Sequence, residues 1–304
     1  MTEFRRISLK TGVTLNVATA GDPARPAVIL LHGFPESHRT WREIAPQLEA
    51  DYFLVMPDQR GFAGSDQPQD VADYKTETLI DDVFALADAL SLQEFALVGH
   101  DWGGAIAWPA AMRGDPRLSR LAIINAPHPV VFQKSLIEDA DQRAASQYIN
   151  AFRAPGIVAM VEVKGFDWFF DTTFARHVDV SKISDAERRQ YIADWSQPGA
   201  FNAMLNWYRA AKVIVPPPGV TVPLPDLLLR AFRVLKVPTL VIWGLEDKAL
   251  LPSQLEGLDA LVEDIAVVRL PGVGHFAPWE AGDQVADALI PFLAGQAAAT
   301  APAK

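Results

Sequence analysis

The stretch from Phe95 to Gly104 limits what this chain can fold into more than any other. An apolar run, Phe95-Ala-Leu-Val98, passes directly into Gly99-His-Asp-Trp-Gly-Gly104, and a helical pattern follows from Ala105. Short continuous apolar runs of this kind read as parallel strands covered on both faces. A strand that enters a helix within so few residues must turn sharply. The residue at the bend, Asp101, then has a strained backbone, and its neighbours two positions away on each side press against other backbone. Only small residues fit there, and Gly99 and Gly103 stand at those positions. The pattern is the G-x-nucleophile-x-G turn with aspartate at its centre, which gives Asp101 a reactive role rather than that of a helix cap.

Similar apolar runs recur along the chain at Ala27-Val-Ile-Leu-Leu31, Tyr52-Phe-Leu-Val-Met56, Leu121-Ala-Ile-Ile124, Pro238-Thr-Leu-Val-Ile-Trp243 and Ile265-Ala-Val-Val-Arg-Leu270. Phe4 to Leu9 and Val13 to Ala18 alternate around a glycine turn and read as a hairpin. Helical patterns separate the runs; Thr76 to Leu90 carries Leu79, Val83, Leu86, Ala87 and Leu90 at helical spacing. Alternating strands and helices predict an α/β chain with a mostly parallel eight-stranded sheet flanked by helices. The rhythm stops after Ile124 and resumes near Pro238. Residues 1–126 and 235–295 are therefore expected to form one core domain, 127–234 an inserted helical cap or lid, and 296–304 a disordered tail. In such a fold the site lies at the carboxyl ends of the strands.

Composition narrows the functional classes. The 304 residues carry a net charge of −10, which argues against a nucleic-acid partner. With no cysteine, disulfides, thiolate catalysis and cysteine zinc sites are excluded. No apolar stretch follows Arg5 and Arg6, and five prolines interrupt Val213 to Leu229, so neither a secretion signal nor a membrane span is expected. The expected location is the cytoplasm, without cofactor, metal or membrane.

Aspartate in place of serine says what is attacked. A serine displacing a group at saturated carbon would end as a stable ether, whereas a carboxylate ends as an ester that water can cleave. Aspartate is anionic at neutral pH, with an ordinary pKa of ~3.9, and needs no base to activate it. The base belongs in the Gly-rich loop after the last strand, Pro271-Gly-Val-Gly-His275. Its acid belongs after the preceding run, in Trp243-Gly-Leu-Glu-Asp247; Asp247 is the choice and Glu246 the alternative. Ile124-Asn125-Ala126 offers no carboxylate at the other site such an acid could occupy. The loop His32-Gly-Phe-Pro35 is expected to supply the amide of Phe34, beside that of Trp102, as an oxyanion hole. His32, Pro35 and Trp207 are expected along the substrate pocket.

His32-Gly-Phe-Pro-Glu-Ser37, Asp58-Gln-Arg-Gly61, Gly99-His-Asp-Trp-Gly-Gly104 and Gly274-His275 together resemble the epoxide hydrolases of the α/β-hydrolase superfamily, over almost the whole chain. That resemblance implies two cap tyrosines above the nucleophile. Leu205-Asn-Trp-Tyr208-Arg209 is similar to the segment of one and Tyr148-Ile-Asn-Ala-Phe-Arg-Ala-Pro-Gly156 to that of the other, so Tyr148 and Tyr208 inherit the role. A phenol with pKa ~10 can protonate the alkoxide of an opened epoxide. The implied reaction converts a small apolar or aryl epoxide to a vicinal diol through an ester on Asp101, cleaved by water that His275 activates. Haloalkane and haloacetate dehalogenases share the core motifs and are the alternative. The former commonly have Asn where Phe34 stands, and the latter Arg where Trp102 stands. A homodimer is left open.

Overall fold

The computed structural model describes residues 2–174, 177–178, 180–225, 228 and 233–296. Eight strands, β1 (Glu3–Ser8), β2 (Thr14–Ala20), β3 (Ala27–Leu31), β4 (Phe53–Pro57), β5 (Phe95–His100), β6 (Leu118–Ile124), β7 (Thr239–Gly244) and β8 (Ile265–Leu270), form one sheet in the order β1-β2-β4-β3-β5-β6-β7-β8. The hairpin β1–β2 is antiparallel, and β2 runs antiparallel to β4; every later pairing is parallel. The eight predicted strands are all present. Strand β6 starts at Leu118, ahead of the apolar run, because half-buried Ser119 and Arg120 break the hydrophobic pattern there.

The apolar runs form strands because both faces of the sheet are covered. In β3 the side chains of Ala27, Ile29 and Leu31 join one core cluster while Val28 and Leu30 join the other, the two-residue period of a pleated strand. The first cluster packs under α2 (Thr76–Ala89) and α3 (Trp102–Met112); the second packs under α1 (Ala45–Leu48) and α12 (Gly282–Leu293), with α11 (Ala277–Glu280) preceding α12. The edge strand β1 carries exposed Glu3, Arg5 and Arg6, charges that discourage pairing with a foreign strand.

Between β6 and β7 the described residues form helices and no strand: α4 (Pro129–Glu138), α5 (Ala140–Ala145), α6 (Gln147–Arg153), α7 (Ile157–Lys164), α8 (Phe166–Phe174), α9 (Asp185–Trp195) and α10 (Ala200–Ala210). The last two are tied to core loops. Trp195 of α9 donates its indole N–H to the Pro35 carbonyl at 2.8 Å, and Arg39 pairs with Asp194 at 2.9 Å. Trp207 of α10 donates to the Arg60 carbonyl at 2.9 Å, and Asn206 to the Gln69 carbonyl at 3.1 Å. Among the described residues no helix is long and apolar enough to cross a membrane. Residues 297–304, the bulk of the tail expected to be disordered, lie outside the described residues.

Strands β4 and β5 lie on opposite sides of β3, so the chain reverses direction across the sheet at that point. A crevice opens where the loops leave two adjacent strands in opposite directions. Here those strands are β3, which ends at Leu31, and β5, which ends one residue before Asp101.

Candidate active site

Asp101 occupies the bend between β5 and α3 with φ 49° and ψ −118°, a conformation that non-glycine residues rarely adopt. The close packing explains its flanking glycines. A Cβ on Gly99 would lie 2.5 Å from the Gly103 carbonyl oxygen, and one on Gly103 would run into the carbonyl of Leu31. The bend brings the carboxylate against the loop after β3, where the Phe34 amide donates to its Oδ1 at 2.8 Å. Trp102, whose amide directly follows the bend, opens α3.

On the other side of the carboxylate, His275 Nε2 lies 3.5 Å from Asp101 Oδ2, and His275 Nδ1 lies 2.7 Å from Asp247 Oδ2. Asp247 is buried and is the acid that meets the ring; Glu246 is exposed. The amides of Ala249 and Leu250 donate to Asp247 Oδ1 at 2.8 and 2.9 Å, and Asn125 Nδ2 donates to its Oδ2 at 2.8 Å. The His275 loop is braced by Glu280, whose carboxylate accepts from the Gly274 amide at 3.2 Å and the Phe276 amide at 2.8 Å.

These contacts set the charges. Burial alone would raise the pKa of Asp101 and Asp247, but the hydrogen bonds and charge of His275 outweigh it and hold both below the usual carboxylate range. Burial would lower His275, yet the charges and hydrogen bonds of Asp247 and Asp101 lift it well above an ordinary histidine. The resting site therefore holds an imidazolium between two carboxylates.

Tyr148 on α6 and Tyr208 on α10 bring their rings to 6.2 Å between centroids, nearly perpendicular. The Tyr208 ring also meets Phe34 and Trp102 edge-on, each at 5.0 Å. Burial, reinforced by the charge of Asp101, raises both phenols well above their ordinary pKa, so both keep their protons. Arg153, at the end of α6, donates to the carbonyls of Tyr208, Ala211 and Val213 at 2.8, 2.8 and 2.9 Å. A cation capping the last carbonyls of α10 fixes the helix end that carries Tyr208 against the helix that carries Tyr148.

Two cavities meet at this point. One, of about 900 Å³, is lined by Phe34, Asp101, Tyr148, Phe152, Trp168 and His275 among others; the second, of about 530 Å³, by Asp101, Trp102, Val130, Phe132, Tyr148 and Tyr208 among others. Asp101 and both tyrosines line both cavities. His32, Pro35 and Trp207, expected along the pocket, line neither. His32 is fully buried, with Nε2 accepting from the Gln59 amide at 3.0 Å, and burial lowers its pKa to about 4. The Pro35 carbonyl and the Trp207 indole are occupied in the loop-to-helix contacts described above. All three lie behind the walls of the two cavities.

Sequence reasoning missed Asn125, Arg153 and Glu280. Asn125 has φ 43°, and its Oδ1 accepts from the Gly244 amide at 3.0 Å while its Nδ2 holds Asp247. An asparagine ending an apolar strand was a usable signal, because asparagine tolerates the left-handed region better than most residues. Nothing local marked Arg153 or Glu280, whose partners are backbone groups far off or across a short turn.

An aspartate on a strained strand-to-helix turn, faced by an acid-held histidine and an amide donor at the carboxyl ends of a parallel sheet, defines an α/β-type hydrolase site. A profile of the α/β hydrolase fold matches residues 26–282, and the chain belongs to that family. Within the family its similarity runs to epoxide hydrolases. A solved structure described as a novel epoxide hydrolase of the superfamily, from metagenomes of hot environments, is 43% identical with a TM-score of 0.86, covering 97% of this chain and 100% of that one. A Bacillus megaterium epoxide hydrolase variant, solved with its product (R)-3-[1]naphthyloxy-propane-1,2-diol, is 26% identical with a TM-score of 0.85, covering 95% and 100%. Epoxide hydrolase 3 of Xenopus tropicalis is 30% identical over 93% of this chain and 75% of its own length. The AB hydrolase superfamily protein YfhM of Bacillus subtilis is 36% identical over 79% and 80%.

Proposed function

We propose that this chain is an epoxide hydrolase that forms and then cleaves an alkyl ester on Asp101, with residues 127–234 acting as a cap over the core. The observation that carries this reading is the meeting of one carboxylate and two protonated phenols on the walls of the same two cavities. The epoxide oxygen binds between Tyr148 and Tyr208. Asp101 attacks a ring carbon; the carbon–oxygen bond breaks as the ester bond forms, and a phenol gives its proton to the alkoxide. A positioned acid of this kind contributes on the order of 10²–10⁴ in rate.

The second half uses the other side of the site. Esterification removes the negative charge of Asp101, one of the two that raise His275. The ring then gives up its proton, which returns to the phenolate left by ring opening, and takes one from water as that water attacks the ester carbonyl. Asp247 holds the ring and the amides of Phe34 and Trp102 hold the oxyanion; on collapse the imidazolium protonates the departing alkoxide, the acid left on Asp101 returns its proton to the ring, and a vicinal diol is released with Asp101 restored. The apolar walls, with Phe34, Phe152 and Trp168, suit aryl or alkyl substituents.

Carbon–halogen cleavage would need N–H donors around the leaving group; the candidate is the Trp102 indole beside Asp101, and it donates to the Tyr208 hydroxyl. Tyrosine hydroxyls at that place favour the epoxide.

The test is direct. His275→Ala treated with styrene oxide should gain one substrate mass on the peptide containing Asp101, while the wild-type chain releases diol. No adduct in the variant would remove the covalent route. Halide release from haloalkanes with no diol from epoxides would remove the substrate assignment.

A further inference from the structure

Behind the reacting groups lies a buried pair that the proposed mechanism leaves unused. Glu36, in the loop after β3, and His100, the residue before Asp101, are both buried. Glu36 Oε1 accepts from the Trp279 indole N–H at 2.9 Å and from the Tyr191 hydroxyl at 3.2 Å. Its Oε2 has no hydrogen-bond partner and lies 3.6 Å from His100 Nδ1, which has none either. On the far side of the ring, His100 Nε2 lies 2.8 Å from the His275 carbonyl oxygen.

The tautomer follows from these contacts. A carbonyl can only accept, so His100 Nε2 carries a hydrogen. In a neutral ring that leaves Nδ1 as a bare lone pair, pointed at a carboxylate oxygen in a dry interior. Two acceptors facing each other repel, and burying both without a donor is costly. One proton between them resolves the conflict.

We propose that Glu36 and His100 share a single buried proton, and that the pair positions the His275 loop over Asp101. Burial pushes Glu36 up to about 7 and His100 down to about 4, so the proton resides on Glu36 and the pair is neutral between those two values. The groups facing Glu36 are Arg42 and Thr40 from its own loop, Tyr191 from α9 and Trp279 from α11; Arg42 is engaged by Glu187. The Thr40 hydroxyl can donate or accept and does not decide where the proton sits. His100 faces His275, Asp101 and Asp247 besides Glu36. The neutral acid, 3.6 Å from Nδ1, places its proton between the two acceptors and orients the ring, and the ring's Nε2–H fixes the backbone of His275. Raising the pH through about 7 removes the proton, restores two opposed lone pairs and loosens that backbone.

The inference rests on Asp101 and His275 being the reacting pair, and its test separates the two. Glu36→Gln keeps the shape, with an amide N–H for His100 and a carbonyl for Tyr191 and Trp279. The wild-type kcat should decline on the alkaline side around pH 7 and the Glu36→Gln kcat should not, while Glu36→Leu should lower kcat tenfold or more with KM little changed. Infrared spectra of the wild-type chain labelled with ¹³C-glutamate should show a protonated carboxyl band that disappears as pH passes 7. Absence of that band, or identical pH profiles for Glu36→Gln and wild type, would overturn the shared proton. If the ester still accumulates in His275→Ala, only the pair has failed; with neither ester nor diol, the reading beneath it has failed.

Discussion

Asp101 and His275 sit in each other's field, 3.5 Å apart, so the charge of one sets the proton affinity of the other. Asp101→Ala should therefore lower the pKa of His275, read from an NMR titration of its ring protons; an unchanged value would mean that Asp247 alone raises the imidazole. A stability signature accompanies this. A histidine raised on folding contributes fully below its unfolded pKa of about 6.5 and progressively loses that contribution as pH climbs toward the folded value. The same substitution should flatten the wild-type decline in melting temperature above pH 6.5. Single residues were legible in the sequence where chemistry forces a residue type at a fixed point of the chain: Asp101 between Gly99 and Gly103, His275 after the last strand. Asn125 was not, because its value lies in holding Asp247 from 122 positions away.

At the level of elements, the turn between β5 and α3 tolerates almost no added volume. Gly103→Ala should destabilise the fold by about 1–3 kcal/mol, the usual cost of overpacking, because its new Cβ meets the rigid carbonyl of Leu31. Urea unfolding would register the change as a lower midpoint. The strands were readable because each is apolar on both faces and short; β6 was clipped at its start because Ser119 and Arg120 interrupt that signal. The helices of 127–234 were legible only as a helical block. Their ends depend on distant partners, as Arg153 closing the end of α10 shows, and such pairings carry no local pattern.

Across the whole molecule, the two cavities make Asp101 a meeting point with space on either side. On the proposed reaction, an epoxide substituted on both ring carbons would place one group in each cavity. Val130 lines the smaller cavity. Val130→Trp should cut kcat/KM for disubstituted epoxides by tenfold or more and change that for styrene oxide little; equal losses for both would mean the smaller cavity does not receive substrate. No sequence pattern could have revealed this space, since its walls come from α3, α4, α6 and α10 and exist only once these pack.

The anchoring of α9 to the Pro35 carbonyl has a kinetic consequence. The bonded oxygen belongs to the residue after Phe34, whose amide donates to the Asp101 carboxylate. Lifting this helix would drag that amide away, so the chamber cannot gape like a jaw and stay competent. With α9 seated, entry is limited to the width the cavities already have, and slim molecules should enter faster than broad ones of equal reactivity.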